Sequence, residues 1–259
     1  MKKSPVALLI ALVLAVGVIV ATQLGSGTWP DGISSPSPAP SAPPIAAEVS
    51  LSARASLEAA GFAVTDETGR FVVSGSAVVA ALDGLDTATR VATGYDRDRF
   101  GQRWADIDRN GCDTRNDVLA RDLVDVTFKP GTRDCVVLTG TLHDLYTSTT
   151  ITFVRGEQSS RLVQIDHVVP LAWGWRHGGN TWTEQQREQF ANDPINLQAV
   201  DGGTNSSKSD SGPGDWMPPA EGSHCEYAAR YVLVLVAYDL TLDDVDRREL
   251  TDTLGGCGA

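Results

Sequence analysis

One stretch of the sequence, residues 164–210, limits most strongly what this chain can fold into. It opens with an apolar run that stops at the pair Asp166-His167, a pattern typical of a short strand. A second short strand is predicted over 194–200, and the Asp-Gly-Gly turn after it leads into a Thr-Asn-Ser-Ser run that favours the start of a helix. Because strand, strand and helix follow each other closely, we expect Asp166, His167 and Asn205 to converge on one point.

The two ends of this stretch carry short motifs. Asp166–Pro170 reads Asp-His-Val-Val-Pro, and Asn205–Asp210 reads Asn-Ser-Ser-Lys-Ser-Asp. Both resemble the HNH (ββα-metal, His-Me finger) endonuclease motif, in which an Asp-His-Ile-Val-Pro block is followed by an Asn-x-x-Lys helix. The wider chain, roughly 94–240, resembles secreted actinobacterial HNH proteins related to the C-terminal domain of GmrSD-type restriction enzymes. Four flanking blocks carry that wider resemblance: Tyr95–Gly101, Cys112–Arg115, Phe190–Asp193 and Trp216–Pro219.

The resemblance implies an α+β fold, with a small antiparallel sheet and helices around a ββα-metal (HNH) core. We assign this endonuclease domain to residues 89–259. Strands are predicted just before the motif, because β-branched residues cluster or alternate at 124–128, 135–141 and 147–154. Residues 48–88 show no recognisable chemistry, and we treat them as an accessory lead-in that includes two short helices and a strand.

The N-terminus predicts export from the cytoplasm. Two lysines precede an apolar run within residues 1–24, which is the pattern of a cleaved signal peptide or of an uncleaved signal anchor. Residues 25–47 are rich in Pro and Ser and are predicted to be a disordered linker. The remainder is then expected to be extracellular or at the cell surface, with a membrane contact only if the segment stays uncleaved.

The cysteine count fits that location. The chain has 4 cysteines, an even number, and no Cys-x-x-Cys pair, so disulfides are expected rather than a zinc knuckle. Four cysteines can pair in more than one way, and the residues alone do not choose among the connectivities. Pairing each cysteine with its neighbour along the chain suggests Cys112–Cys135 and Cys225–Cys257.

By resemblance, the domain is a hydrolase acting on ester bonds: a metal-dependent endonuclease that cleaves phosphodiester bonds of nucleic acid, expected to be DNA. His167 would be the general base, and Asp166 and Asn205 would hold one divalent cation. Asn196, taken to lie in the middle of its strand, would bond the loop backbone and hold His167, and Lys208 would reach the phosphate. Hard oxygen ligands suit Mg²⁺, with Mn²⁺ or another divalent ion as alternatives. A monomer is expected.

A calcium loop is suggested by side chains at the spacing of an EF-hand: Asp106, Asp108, Asn110 and Asp117. An Asp at the last of these positions is a poorer bidentate ligand than the usual Glu. The alternative is a polar turn that caps a helix over 116–123. Nearby Arg115 could reach a phosphate, or it could form a surface ion pair.

The formal net charge of −12 argues against a nucleic-acid binder, because nonspecific affinity for DNA comes from Lys and Arg contacts with phosphate. An acidic nuclease must rely on a local basic patch and a bound cation. An apolar helix predicted over 225–240 also lacks the basic face that the family resemblance would imply. The alternative function is therefore a non-catalytic, calcium-stabilised envelope module built on an HNH scaffold.

The aromatic segment after the Asp-His motif has two interpretations. Trp173, Trp175 and Trp182 could stack on bases, but packing in a hydrophobic core is the favoured role. His177 lies between Trp175 and Trp182 in a Gly-rich loop and is expected to be exposed to solvent, with a contact to substrate as the alternative.

Overall fold

The computed structural model describes residues 52–87, 93–156 and 159–258. Its helices are α1 (Ala53–Ala59), α2 (Gly75–Asp83), α3 (Thr114–Asp122), α4 (Leu171–Arg176), α5 (Glu184–Asn192), α6 (Gly202–Lys208), α7 (His224–Ala237) and α8 (Asp244–Gly255). Its strands are β1 (Ala63–Thr65), β2 (Phe71–Val73), β3 (Leu123–Phe128), β4 (Val137–His143), β5 (Thr150–Val154), β6 (Val163–His167) and β7 (Leu197–Asp201).

The strands form three small antiparallel sheets. They are the pair β1–β2, the three-stranded sheet β3–β4–β5, and the pair β6–β7. In the last pair, Val163 lies opposite Asp201 and His167 lies opposite Leu197. Small antiparallel sheets surrounded by helices confirm the predicted α+β class, and the three strands predicted upstream of the motif form one sheet.

The β6–β7 hairpin and α6 are the predicted strand–strand–helix unit, with two differences at their boundaries. Residues Pro194–Asn196 form a 3₁₀ turn, so Asn196 precedes β7 and does not lie in the middle of a strand. The turn forms because the Asp193 carboxylate accepts the amide of Ile195 at 2.9 Å. Helix α6 begins at Gly202, since the side chain of Asp201 caps it.

The hairpin lies between two hydrophobic cores. On one face, Val163, Ile165 and Ala199 pack in a cluster with α3 and the β3–β4–β5 sheet. Helix α7 belongs to the second cluster, to which β7 contributes Val200. Alternate side chains of a strand point to opposite faces, so neighbouring residues of β6 meet different parts of the protein.

The lead-in before the motif shares the second core. Leu57, Val78 and Leu82 have no exposed surface and pack in the same cluster as the apolar face of α7. Burying one such side chain stabilises a fold by about 1.5–3 kcal/mol. Residues 52–87 therefore contribute to the stability of the unit that carries the motif.

The structure contains two disulfides, Cys112–Cys135 and Cys225–Cys257. This is the suggested pairing of each cysteine with its neighbour along the chain. The first joins the segment before α3 to the loop before β4. The second joins the first turn of α7 to the residue that follows the C-cap glycine of α8, so the start of α7 is held at the end of α8.

The aromatic segment takes the packing role. Trp173 and Trp175 lie on α4 and are buried, and Trp182 packs against the same core. The expectation that His177 is exposed was wrong. Its ring is buried and stacks on Trp173, with 3.6 Å between ring centroids, because α4 ends one residue before it and turns the ring back over the helix.

No helix in the described part of the chain is both long and apolar enough to cross a bilayer. The predicted export segment 1–24 and the linker 25–47 lie outside the described residues.

Adjacent glycines at the start of α6 allow a matched test of how closely this helix packs against the backbone before β6. A Cβ on Gly202 would lie 1.9 Å from the carbonyl oxygen of Arg161, whereas a Cβ on Gly203 would lie 3.2 Å from a side-chain oxygen of Asp201. We expect Gly202→Ala to lower the free energy of unfolding by several kcal/mol, on the order of 3, because backbone must move. Gly203→Ala should change it by about 1 kcal/mol or less. Urea unfolding of both variants measures these changes, and equal stabilities would contradict the close packing of Gly202 against Arg161.

Candidate active site

Asp166, the penultimate residue of β6, carries a buried carboxylate. Its Oδ2 accepts the Tyr146 hydroxyl at 2.7 Å and lies 2.8 Å from the ammonium of Lys208. No hydrogen bond from the described residues reaches Oδ1 of Asp166. One carboxylate oxygen is therefore engaged inside the protein, and the other is free to act as a ligand.

Lys208, the last residue of α6, is fully buried. Its ammonium also donates to the backbone oxygen of His167 at 2.8 Å. Burial lowers the pKa of Lys208, and the charge of Asp166 opposes that shift. The side chain is directed inward in this structure, where it ties α6 to the end of β6, so its contact with a phosphate stays a prediction.

Asn205 lies one helical turn before Lys208 and faces the same side of β6. Its Nδ2 donates to Oε1 of Gln164 at 2.9 Å. Gln164 and Asp166 are two residues apart on the strand, so they share one face. No hydrogen bond from the described residues reaches Oδ1 of Asn205. The structure thus brings Asp166, Asn205 and Lys208 together on one face of the hairpin.

His167 ends β6 and projects towards the opposite face. Its Nε2 lies 2.8 Å from the backbone oxygen of Ala191, near the end of α5. A carbonyl oxygen only accepts hydrogen bonds, so Nε2 carries the proton and Nδ1 of the neutral ring is the basic nitrogen. Burial lowers the pKa of His167 to about 4, although the bond to Ala191 and the charge of Asp166 oppose that shift. The imidazole is therefore neutral at physiological pH.

Asn196 fixes the backbone that follows His167. It is fully buried, its Oδ1 accepts the amide of Val169 at 2.8 Å, and its Nδ2 donates to the oxygen of the same residue at 3.2 Å. This double contact holds the turn between β6 and α4. This is the contact with the loop backbone that the resemblance implied, although Asn196 lies in a 3₁₀ turn and not in a strand.

A pocket opens beside His167 that the sequence did not reveal. Its lining includes Arg97 and Arg103, together with Gln102 and Asn192. The block Tyr95–Gly101 carries part of the family resemblance, and the density of charged residues from it to Arg103 is the sequence signal for this pocket.

The predicted calcium loop forms a compact polar turn. The side chain of Asn110 donates to Oδ2 of Asp108 and to Oδ1 of Asp117, each at 3.1 Å, while Asp106 accepts the amide of Gly111 at 2.9 Å. Two carboxylates thus accept from the side-chain amide of Asn110, and the third accepts from backbone amides of the same turn. Helix α3 is capped by a different residue, Asp113. Calcium binding by this loop stays a prediction.

Arg115 lies at the start of α3, partly buried. Burial lowers its pKa, and the nearby charge of Arg155 lowers it further. Arg115 forms no ion pair within the described residues, so the ion-pair alternative is not realised there. Its contact with phosphate stays a prediction.

A second group of possible metal ligands, which the sequence did not reveal, consists of His177, Asp243 and Asp246, whose ligand atoms lie within 4.8 Å of one another. Both carboxylate oxygens of Asp246 are engaged. One accepts the indole N–H of Trp173 at 2.9 Å, and the other accepts the amide of Gly214 at 2.8 Å. These contacts give the group a role in joining α4 to α8.

A pair of antiparallel strands whose first strand ends in Asp-His, followed by a helix that carries Asn, is the arrangement that the resemblance to the HNH motif implied. Residues 113–252, more than half of the chain, match the family described as GmrSD restriction endonucleases, C-terminal domain, and the chain belongs to that family. An uncharacterized secreted protein of the fungus Arthroderma benhamiae is 34% identical over 189 residues, which cover 72% of this chain and 87% of that protein. This relative is not actinobacterial, so the expected tie to actinobacterial proteins is not supported by it. No solved structure matches the chain significantly.

The buried pair of Lys208 and Asp166 yields a stability prediction. Replacing one partner leaves the other charge buried without compensation, which typically costs about 3–5 kcal/mol. We expect Lys208→Met to lower the free energy of unfolding by roughly that amount. Lys129→Met, at an exposed position, should change it by about 0.5 kcal/mol or less. Chemical unfolding monitored by tryptophan fluorescence measures both, and equal losses in the two variants would contradict the inward direction of Lys208.

The calcium loop yields a prediction on pH. Burial raises the pKa of Asp117 to about 6, with the hydrogen bond from Asn110 opposing and the charges of Asp108 and Asp106 adding to that shift. A raised pKa means that Asp117 favours the folded state only at low pH, and this contribution is lost as pH rises through about 6. Asp117→Asn should therefore raise Tm at pH 7.5 by ~2 °C and leave it unchanged at pH 4.

Exposed Asp252 supplies the control, since Asp252→Asn should shift Tm at neither pH. If the loop binds calcium, millimolar Ca²⁺ should raise the Tm of the wild-type chain more than that of Asp117→Asn. A wild-type Tm that does not respond to Ca²⁺ would identify the loop as a polar turn.

Proposed function

We propose that this domain is a metal-dependent endonuclease that hydrolyses phosphodiester bonds, with DNA as its principal substrate. Membership of a nuclease domain family supports a nucleic-acid substrate. The observation that carries the proposal is the state of His167. Its imidazole is neutral, its Nε2 proton is held by the oxygen of Ala191, and its Nδ1 is left as a base.

The role of His167 is to take a proton from the attacking water. A general base must be unprotonated at working pH and held in one orientation. The low pKa satisfies the first condition, and the bond to Ala191 satisfies the second. Asn196 contributes by fixing the backbone immediately after the imidazole.

The residues on the other face of β6 suit a divalent cation. Oδ1 of Asp166 and Oδ1 of Asn205 are hard oxygen donors that receive no hydrogen bond from the described residues, and Mg²⁺ accepts a few such ligands while keeping several waters. These two side chains would hold the ion, which would stabilise negative charge on the phosphate and on the leaving oxygen. Lys208 orients the carboxylate of Asp166 by engaging its second oxygen.

Asp166 and His167 project from opposite faces, so the substrate would lie off the end of β6. Both residues stand at the last two positions of that strand, and the chain turns away after His167. A phosphate placed there would have the basic nitrogen on one side and the oxygen ligands on the other.

The proposed location is outside the cytoplasm. Two disulfides fit an oxidising compartment, and the fungal relative is described as secreted. A second function, a calcium-stabilised module without catalysis, is favoured by one observation. The carboxylates of Asp106, Asp108 and Asp117 all accept hydrogen bonds from Asn110.

The catalytic proposal predicts cleavage of plasmid DNA in the presence of Mg²⁺. His167→Ala should lower the rate by roughly 100-fold or more, which is the lower range for removal of a general base. The rate should also fall below about pH 4, where the imidazole gains a proton, because a protonated ring cannot accept one from water. Gel electrophoresis of nicked and linear plasmid gives the rates.

His143→Ala is the matched control, because His143 is exposed at the end of β4. It should cleave like the wild-type chain. Circular dichroism establishes that both variants fold. Equal rates for the wild-type chain and a folded His167→Ala variant would exclude His167 as the base, and absence of cleavage by the wild-type chain would favour the non-catalytic module.

A further inference from the structure

We propose that the pocket beside His167 binds the phosphodiester backbone of the nucleic-acid strand, with Arg97 and Arg103 as its phosphate ligands. This inference rests on the proposed function and identifies where the substrate contacts the protein. It locates a local basic surface on a chain whose formal net charge is −12. The observations that carry it concern how the arginine-bearing loop is built, what charges it presents, and how it is coupled to His167.

Glu188 of α5 holds the first half of the loop that carries the two arginines. A 3₁₀ turn, Arg97–Phe100, ends at Gly101, which has a positive φ of 72°. A Cβ on Gly101 would lie 2.8 Å from the side chain of Glu188, so the backbone passes directly over that carboxylate. Glu188 then accepts the amide of Gln102 at 2.8 Å. The turn between the two arginines is therefore specified by a distant helix.

The second half of the loop is held by Asn192, the last residue of α5. Its Oδ1 accepts the amide of Ala105 at 3.0 Å, and its Nδ2 donates to the oxygen of Gln102 at 3.1 Å. Asn192 is buried and uses both ends of its side-chain amide on this loop. Arg103 lies between the two contact points, so its backbone has a defined position facing the pocket.

The same end of α5 positions the imidazole. Ala191, directly before Asn192, supplies the oxygen that holds Nε2 of His167. One helical end therefore fixes both the proposed base and the arginine loop. Catalysis depends on holding reacting groups in a fixed geometry. Here adjacent residues of α5 hold the proposed base and the loop that carries the proposed phosphate ligands.

The charges of the pocket suit a phosphate. Arg97 and Arg103 are exposed, and neither forms an ion pair within the described residues. Arg97 and His167 line the same pocket, so the guanidinium and the imidazole border one cavity. One carboxylate, that of Asp98, also lines the pocket. Guanidinium groups bind phosphate oxygens through paired hydrogen bonds, which favours arginine at such a position.

The test is a binding measurement without cleavage. The full-length chain in EDTA is titrated into a fluorescein-labelled DNA duplex, and anisotropy is followed at several salt concentrations. We expect Arg97→Gln and Arg103→Gln each to weaken binding about tenfold and to reduce the slope of log K against log salt by about 0.9, as expected for one lost phosphate contact on B-DNA. Asp98→Asn should strengthen binding, because it removes the opposing charge.

Two controls separate charge from structure. Arg248→Gln, on the exposed side of α8, should bind like the wild-type chain. Arg97→Lys should recover part of the affinity, since it restores the positive charge. Thermal unfolding of each variant establishes that the loop substitutions leave the fold intact. Wild-type affinity and salt slope in the folded Arg97→Gln and Arg103→Gln variants would overturn the proposal.

Failure of this inference can be told apart from failure of the proposed function. Plasmid cleavage by the wild-type chain, with DNA binding that does not depend on Arg97 and Arg103, would exclude the pocket and leave the catalytic assignment in place. DNA binding that depends on both arginines, without cleavage, would exclude the catalytic assignment and support the pocket as a binding site.

Discussion

The contact on which the rest of the site depends is the buried pair between Lys208 and Asp166. It joins the end of α6 to the end of β6, and the hydroxyl of Tyr146 adds the segment between β4 and β5 to the same carboxylate oxygen. A buried ion pair adds little net stability relative to apolar residues, but breaking it is strongly unfavourable. Its effect here is to determine which oxygen of Asp166 is engaged and which remains free.

The two faces of the β6–β7 hairpin contact different parts of the protein, and this separates the side chain of Asp166 from that of His167. Asp166 points towards Tyr146 and α6, while His167 points towards α5. Two consecutive residues can do this only because side chains alternate along a strand. The carboxylate of Asp166 and the imidazole of His167 are therefore held by different parts of the protein, although the two residues are adjacent at the end of β6.

The parts of the fold that local patterns determine were predictable from the sequence. The β-branched strands before the motif and the Asp-His end of β6 each depend on neighbouring residues, and each forms as expected. The inward direction of Lys208 was not predictable, because spacing along α6 places it near Asn205 but does not say which side of the helix is covered. The pocket was not predictable either. Its arginine loop is shaped by Glu188 and Asn192, which lie 86 and 87 residues away from the amides that they accept.

The end of α5 contacts the imidazole through Ala191 and the arginine loop through Asn192. A displacement of this helical end would act on both contacts at once, because they come from adjacent residues. Movement of the imidazole and movement of the arginine loop are therefore coupled through α5.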